Sequence, residues 1–330
     1  MLRVVSGIQP SGTMQLGNYL GAIKNWLPLQ DQYSCLFFLA DMHTITVPQN
    51  PQELRENTIA TAATYLACGL DPKKVILFNQ SNVTAHAELG WILSCVTSIG
   101  WLERMTQFKD KGGDDKQRSS LGLFSYPVLQ AADVLLYQAD LVPVGEDQRQ
   151  HLELARDIAS SFNRFTNSNY FKLPEARIMK SAARIMSLRD GSKKMSKSDE
   201  SDFSRINLID SADLIMQKLK KAKTDSIAEI YYDKENRPEV SNLLEIYSSL
   251  AGIAVDDIVE QYTGKLSGQF KQDLAEVIID KIVPIGSKII ELCKNDEAYV
   301  REVLSDGASK ANAIAFKNIT EIKNLCGFVS

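Results

Sequence analysis

Four short apolar runs limit how this chain can fold more than any other feature. They occupy residues 2–5, 35–40, 75–78 and 141–144. Each is too short for a helix and is rich in branched or aromatic side chains, which is typical of a buried strand. Segments with helical spacing lie between them, so the runs predict a doubly wound α/β fold with a parallel sheet. In such folds ligands bind at the carboxyl ends of the strands.

The clearest helix boundary lies after the second apolar run. Asn50 is a suitable N-cap, Pro51 suits the first helical turn, and Gly69 can end the helix. We therefore predict a helix between these residues.

The last third of the chain has a different pattern. From about residue 205, apolar residues recur at helical spacing with no strand between them, as at Leu243, Leu244, Tyr247 and Leu250. The sequence therefore predicts a strand-containing domain over 1–204 and a helical domain over 205–330.

Composition and charge exclude several classes of protein. The 330 residues are 44% hydrophobic and 24% charged, which is typical of a globular chain. The net charge of −4 provides no general attraction for nucleic acid, so such a partner would need local basic surface. No apolar stretch is long enough to span a membrane, and the five cysteines lack metal-ligand spacing. We expect a cytoplasmic protein with no membrane partner and no metal held by its own side chains.

A basic segment carries the strongest chemical signal. Residues 190–199 contain Lys193, Lys194 and Lys197 with hydroxyl groups between them, and they have almost nothing to bury. The segment is therefore expected to be an exposed loop that can move. Its charges suit a nucleoside triphosphate, whose leaving pyrophosphate gains negative charge in the transition state. A solvated basic loop without a ligand is the alternative.

A glycine-rich turn follows the first apolar run, over residues 6–21. It leads into a helix whose buried face should carry Leu16, Leu20, Ile23 and Leu27. The start of such a helix offers free backbone N–H groups to phosphate, and glycine lets a flat base come close. A tight connection without a ligand is the alternative here.

These two segments make the chain resemble the class I aminoacyl-tRNA synthetases, which have a HIGH-like signature near the N-terminus and a KMSKS signature after the nucleotide fold. Other runs are similar to those of the bacterial-type tryptophanyl-tRNA synthetases, namely residues 103–109, 131–137, 142–148, 223–226, 240–244 and 307–311. The resemblance implies a Rossmann-like catalytic domain over 1–204, with a connective insertion at about 47–125. It also implies a homodimer and a helical domain over 205–330 that recognises the tRNA anticodon.

The implied reaction has two steps. Tryptophan attacks the α-phosphate of ATP to form tryptophanyl adenylate, and the acyl group then passes to the terminal ribose of the tRNA for tryptophan. The resemblance implies Mg²⁺ bridging the phosphate oxygens, and Lys111, Lys194 and Lys197 as the catalytic residues. The residues that it implies for ATP binding are Gln9, Pro10, Ser11, Gly17, Asn18, Gly145, Glu146, Asp147, Ile185, Lys194, Met195, Ser196, Lys197 and Ser198.

For the amino acid, the resemblance implies a pocket built around Asp133. An indole N–H can only donate a hydrogen bond, so a buried carboxylate suits it. The residues implied for tryptophan binding are Asp133, His43, Tyr126, Val142, Val144 and Gln148. Asp133 as a surface acid or helix cap, and His43 as an ordinary core histidine, are the alternatives.

The sequence departs from the family pattern at two positions of the implied site. Gln15 begins the HIGH-like signature, where the family usually has threonine or histidine. The sequence therefore leaves open whether the Gln15 side chain contacts a phosphate of ATP. Gln130 stands where many relatives have a methionine against the indole. In the helical region, lysine clusters at 218–223 and 310–323 are compatible with a tRNA partner, although a solvated face is the commoner meaning of such clusters.

Three other functions share part of this pattern. A tyrosyl-tRNA synthetase would have the same fold and chemistry, and a phenol could also donate to Asp133. A nucleotidylyltransferase would share the glycine-rich turn without needing the helical region. A non-catalytic RNA-binding relative would not need the phosphate-binding lysines. The runs around Asp133 and at 145–148 favour tryptophan.

Overall fold

The computed structural model describes residues 1–10, 12–105, 120–145, 148–178, 184–197 and 199–329, without the side chains of residues 144 and 176–178. Its strands are β1 (Arg3–Ile8), β2 (Ser34–Leu39), β3 (Val75–Asn79), β4 (Leu141–Val144) and β5 (Glu175–Ile178). All neighbouring strands are parallel, in the order β3-β2-β1-β4-β5. The predicted doubly wound α/β fold is confirmed, and β5 is a strand that the apolar runs did not predict.

Helices connect and cover these strands. The α-helices are α1 (Leu16–Asn18), α2 (Lys24–Trp26), α3 (Asp41–Thr44), α4 (Pro51–Ala67), α5 (Ala85–Ser94), α6 (Ile99–Glu103), α7 (Leu121–Leu135), α8 (Arg149–Phe165), α9 (Ala212–Lys220), α10 (Pro238–Ala251), α11 (Val255–Gln261), α12 (Ser267–Lys294) and α13 (Glu297–Leu325). The described residues also form a π-helix (Tyr19–Ile23) and 3₁₀ turns (Leu27–Asp31, Gln80–Asn82, Asp202–Ser204). Within the described ranges, none of the helices combines the length and apolar character needed to cross a bilayer.

Alternating strand residues build two hydrophobic cores, one on each face of the sheet. Val4 and Phe37 point into the first core, with α4 and the helices α9 to α12. Val5 and Phe38 point into the second core, with α5, α7 and α8. A parallel sheet buried on both faces explains why its strands appear in the sequence as continuous apolar runs.

The segment after β1 winds irregularly, and this changes which of its residues are buried. Leu16, Leu20 and Ile23 are buried as predicted, but Trp26 and Leu29 are buried beyond them and Leu27 is only partly covered. The 3₁₀ turn that follows α2 has three residues per turn, so positions three apart share a face there.

The boundaries predicted for the helix after Asn50 are confirmed. The Asn50 side chain accepts hydrogen bonds from the backbone N–H groups of Gln52 at 2.8 Å and Glu53 at 3.2 Å, and Pro51 is the first residue of α4. Gly69 has a φ of +106°, which favours glycine after the helix end.

One lysine of the predicted basic clusters is not available to a partner. Lys218 is fully buried, and its Nζ lies 2.6 Å from a carboxylate oxygen of Asp202 and 2.6 Å from one of Asp210. A buried ammonium group requires such partners because it has lost its water. The interpretation of Lys218 as a solvated or RNA-facing charge is therefore wrong.

The last helix, α13, packs against the edge of the sheet that β3 forms. The early residues Val300 and Leu304 of α13 belong to the first core, and its later residues Ala308 and Ile319 belong to the second. Between them, Gly307 crosses the edge strand β3. The predicted helical region thus shares both cores with the sheet, and the domain boundary at residue 204 remains a prediction.

Gly307 generates a stability prediction. A Cβ atom placed there would lie 1.8 Å from the carbonyl oxygen of Leu77, a clash that only backbone movement relieves. We expect Gly307→Ala to lower the free energy of unfolding by about 2 kcal/mol in chemical denaturation, because overpacking outweighs the helix propensity of alanine. Gly268→Ala is the control, since a Cβ there meets nothing within 4 Å. Equal stability of both variants would contradict the close packing of α13 on β3.

Candidate functional site

A cavity of about 450 Å³ opens at the carboxyl ends of β1, β2 and β4. The chain winds outward from β1 to β2 and β3, and then returns to place β4 on the other side of β1. Ligands of open α/β sheets bind at this kind of switch point. The position therefore agrees with the expectation from the apolar runs.

The cavity brings together most of the described residues that the sequence predicted for the site. Those that line it are Gln9, Asn18, His43, Tyr126, Asp133, Val142, Gly145, Gln148, Lys194 and Lys197. Residues predicted to bind tryptophan and the two lysines of the basic loop thus face the same cavity, although they are far apart in the sequence.

Several predicted residues do not line this cavity. The side chains of Ile185 and Met195 are buried in the first core, and Pro10, Gly17 and Ser196 also lie outside the cavity lining. Five further predictions, Ser11, Lys111, Glu146, Asp147 and Ser198, lie outside the described residues, as does the side chain of Val144. Their roles remain predictions.

Asp133 lies at the centre of a buried hydrogen-bond network. Its side chain is 1% exposed. Its Oδ1 lies 2.6 Å from Nε2 of Gln80 and 2.7 Å from Nδ1 of His86, and its Oδ2 lies 2.7 Å from Nε2 of His43. The Nε2 of His86 in turn lies 2.8 Å from the hydroxyl of Tyr137. The alternative of a surface acid is excluded by this burial.

The network keeps the Asp133 carboxyl ionised. Burial alone would raise its pKa, but His43 and His86, which lie within hydrogen-bond distance of its two oxygens, hold the pKa below its ordinary value. An ionised carboxylate can only accept hydrogen bonds. The side chain therefore offers the cavity a buried, negatively charged acceptor.

Tyr126 borders the cavity beside His43. Their rings meet edge to face, with 6.2 Å between the ring centres. The Tyr126 hydroxyl lies 3.0 Å from Nε2 of the buried His151, and burial raises the pKa of this phenol to about 12. The hydroxyl therefore keeps its proton near neutral pH and is a fixed polar group at the cavity wall.

The sequence prediction missed several residues of the cavity lining, among them Gly7, Phe38 and Gln130. Gly7 and Phe38 are register partners on β1 and β2, and a Cβ on Gly7 would lie 2.5 Å from the Phe38 ring. Gln130 also lines the cavity, and its Nε2 donates to Oε1 of Gln148 at 3.2 Å. The strand register was the missing information for the first pair, whereas Gln130 was set aside as a departure from the family pattern.

The basic loop is more firmly attached than its composition predicted. Lys194 pairs with Met186 in an antiparallel bridge, and the backbone N–H of Met195 donates to the Ile185 carbonyl at 3.0 Å. Met195 itself is 2% exposed, so the expectation that this segment buries almost nothing is wrong at that residue. A hydrophobic anchor and backbone pairing position the lysines on either side of it.

The two loop lysines differ in their surroundings. Lys194 is exposed at the cavity mouth, whereas Lys197 is half-buried and its Nζ donates to the Gly12 carbonyl at 2.9 Å. Burial lowers the pKa of Lys197 to about 8. An anion in the cavity would favour the protonated form of this amine.

Gln15 connects the glycine-rich turn to the basic loop. Its Nε2 donates to the Met195 carbonyl at 3.0 Å, and its Oε1 accepts from the backbone N–H of Gly17. The side chain is 3% exposed and does not line the cavity. At this departure from the family pattern, the amide holds two backbone segments together.

Sequence and structure comparisons place the chain among known proteins. Residues 1–281 match the sequence model of the tRNA synthetases class I (W and Y). The chain is 57% identical to the tryptophan–tRNA ligase of Rickettsia bellii over 326 residues, which cover 99% of this chain and 98% of that protein.

Two solved structures are similar over the full length. The tryptophanyl-tRNA synthetase from Mycoplasma pneumoniae has a TM-score of 0.88 and 35% identity, covering 100% of this chain and 99% of that one. The tryptophanyl-tRNA synthetase from Campylobacter jejuni, solved with ADP and tryptophan, has a TM-score of 0.84 and 36% identity, covering 99% of this chain and 100% of that one.

The Gln15 contact generates a prediction about the loop. Glutamate at this position keeps an acceptor for Gly17 but cannot donate to the Met195 carbonyl, so we expect Gln15→Glu to loosen the loop. The amide hydrogens of Ser187 and Met195, which pair with Lys193 and Ile185, should exchange about tenfold faster, as expected for one lost hydrogen bond.

A matched control exists elsewhere in the chain. The Gln30 side chain also donates to one backbone carbonyl, that of Gly69, and accepts from one backbone N–H, that of Asp71. Gln30→Glu should leave exchange in the loop unchanged. If Gln15→Glu also leaves it unchanged, the amide does not attach the loop.

Proposed function

Since this chain belongs to the class I tRNA synthetases for tryptophan and tyrosine, and within them to the bacterial tryptophanyl-tRNA synthetases, we propose that it joins tryptophan to its tRNA in two steps, the first of which consumes ATP. One observation carries this proposal. The same cavity is lined by a buried, ionised acceptor, Asp133, and by the two cationic side chains Lys194 and Lys197. The first suits an indole N–H, and the others suit a polyphosphate.

In the first step, a carboxylate oxygen of tryptophan attacks the α-phosphorus of ATP. The bond from this phosphorus to the bridging oxygen of the β-phosphate breaks, and pyrophosphate leaves with the electron pair. Tryptophan itself provides the nucleophile, so the protein has to align the reactants and stabilise charge. Lys194 and Lys197 supply that positive charge, and Lys111 is the third cation in this proposal.

In the second step, a hydroxyl of the terminal ribose of the tRNA attacks the carbonyl carbon of the adenylate. The proton of the hydroxyl is lost, and AMP leaves with the electron pair of the acyl–phosphate bond. We assign anticodon recognition to the helical region over 205–330. Exposed lysines such as Lys220 and Lys317 support this assignment, whereas Lys218 is buried and takes no part in it.

The nucleotide residues follow from the same proposal. Gln9, Asn18 and Gly145 line the cavity together with the two lysines. Gly17 and Ser196 lie next to this surface in the chain, and Met195 contributes its backbone, since its side chain is buried in the core. Ser11, Glu146, Asp147 and Ser198 belong to the proposed ATP site by their position in the sequence.

Mg²⁺ enters the proposal as the ion carried by ATP. This cation commonly binds substrate phosphates with few protein ligands. Among the side chains that the structure describes, no group of three or more His, Cys, Asp or Glu residues could hold a metal ion. In this proposal Mg²⁺ reaches the site bound to the phosphate oxygens of ATP.

We also propose a homodimer and a cytoplasmic location. Helices α5 and α6 and the start of α7 expose the large apolar side chains of Trp91, Ile99 and Leu121, at 73%, 67% and 78% respectively. Large exposed apolar groups of this kind suit a surface that pairs with a second copy. The five cysteines are free thiols, which suits the reducing conditions of the cytoplasm.

The experiment that tests this function is amino-acid-dependent exchange of labelled pyrophosphate into ATP. We expect exchange with tryptophan and none with tyrosine, because only an amino acid that the enzyme activates forms the adenylate from which labelled pyrophosphate regenerates ATP. Lys197→Ala should reduce this rate about a hundredfold with a smaller effect on tryptophan affinity, since its charge acts mainly in the transition state. Exchange with tyrosine would favour the tyrosyl enzyme. No exchange with folded protein would favour a binding protein without catalysis.

The lowered pKa of Lys197 predicts a pH dependence of ATP binding. The free protein loses this charge as pH rises through about 8, whereas bound phosphates hold the proton on the amine. ATP affinity should therefore fall above that pH, by at most about tenfold per pH unit, with proton uptake on binding. Calorimetry in buffers of different ionisation enthalpy measures both effects. Lys197→Arg keeps its charge, so identical profiles for both proteins would contradict the assignment.

A further inference from the structure

The groups behind Asp133 form a support that the proposed reaction does not itself use. Gln80, His86 and Tyr137 are almost completely buried, and none of them lines the cavity. They come from the turn after β3, from α5 and from the residues that follow α7. Burying a polar side chain costs free energy unless it makes hydrogen bonds. Gln80 and His86 contact Asp133 directly, and Tyr137 contacts it through His86, which indicates that all three act on this carboxylate.

The number of acceptor positions on Asp133 gives that explanation. A carboxylate has about four such positions, two on each oxygen. Oδ1 already faces two donors, Nε2 of Gln80 at 2.6 Å and Nδ1 of His86 at 2.7 Å. Oδ2 faces one donor, Nε2 of His43, at 2.7 Å. One acceptor position therefore stays open, and it belongs to Oδ2.

The two partners of His86 place its hydrogen on Nδ1, since the Asp133 carboxylate can only accept a hydrogen bond and the Tyr137 hydroxyl can donate one. Burial, and then the charge of Asp133, raise the pKa of the Tyr137 phenol, so its hydroxyl keeps its proton. This hydroxyl faces Nε2 of His86 at 2.8 Å and can donate to it. The hydrogen of a neutral His86 then belongs on Nδ1, which is the nitrogen that faces Oδ1 of Asp133.

We propose that His86, oriented by Tyr137, is a positioning residue that occupies Oδ1 of Asp133 and so directs the ring N–H of the amino acid substrate to Oδ2. This inference rests on the proposed function and adds to it a source of selectivity. An indole nitrogen brings one hydrogen and no acceptor, which fits a single open position. A phenol brings an oxygen that also needs a donor, while the ring N–H groups of His43 and His86 are already directed at Asp133. An unpaired buried oxygen disfavours tyrosine.

Two substitutions of His86 separate positioning from simple structural support. The amide nitrogen of asparagine can replace Nδ1, so His86→Asn keeps the donor to Asp133 and loses the contact with Tyr137. The amide oxygen of glutamine can replace Nε2 as the acceptor of the Tyr137 hydroxyl, so His86→Gln keeps the contact with Tyr137 and loses the donor to Asp133. Both variants lose the imidazole ring, so each is the matched control for the other.

Kinetics of tryptophan-dependent pyrophosphate exchange test the proposal. We expect His86→Gln to raise KM for tryptophan about tenfold, the effect of one hydrogen bond to a charged group, with kcat nearly unchanged. The ratio of kcat/KM for tryptophan over tyrosine should fall by a similar factor. His86→Asn should restore both values to within about threefold of the wild type. Equal behaviour of the two variants would overturn the positioning role.

A spectroscopic measurement keeps the test independent of how the His86 variants fold. The ¹⁵N chemical shifts of His86 in the unmodified protein should show the hydrogen on Nδ1, and Tyr137→Phe should keep it there because the Asp133 carboxylate still requires a donor. A hydrogen on Nε2 in the unmodified protein would overturn the inference. If the wild type shows no tryptophan-dependent exchange while His86 has the expected tautomer, the proposed function fails and this assignment of the network stands.

Discussion

The burial of one carboxylate organises the amino acid end of the site. Asp133 has lost its water, so it must receive hydrogen bonds from the protein, and its donors come from three different elements. His43 follows β2, Gln80 follows β3, and His86 lies on α5. Because an unpaired charge at this depth would be strongly destabilising, these elements and α7 have to keep their relative positions. The cavity wall is therefore fixed before any ligand arrives.

The opposite end of the cavity depends on weaker and more local contacts. The basic loop is held by one buried methionine, by backbone pairing with Ile185 and by the amide of Gln15. Its Lys197 is only half-buried and has a lowered pKa. Such contacts open at lower cost than a buried ionic network. A rigid recognition end and a more easily released phosphate end fit a reaction in which pyrophosphate must leave.

Much of the fold could be predicted from the sequence, and some of it could not. Four strands were predictable because a parallel sheet buried on both faces requires continuous apolar runs. The strand β5 (Glu175–Ile178) escaped because charged residues interrupt its short sequence at the sheet edge. Lys218 resembled a solvated charge because its partners Asp202 and Asp210 are recognised only in three dimensions. Gly307 likewise reveals its role only where α13 crosses β3.

The sequence by itself determined the fold class, the glycine-rich turn and the basic loop, because each depends on residue type and local spacing, and its resemblance to a known family indicated Asp133. Tertiary structure decided what surrounds them. It placed Gln80, His86 and Tyr137 behind Asp133, Gln15 against the loop, and Gln130 at the cavity wall. The physical reason is that burial and hydrogen bonding depend on contacts between segments distant in the chain, and local patterns carry no information about such partners.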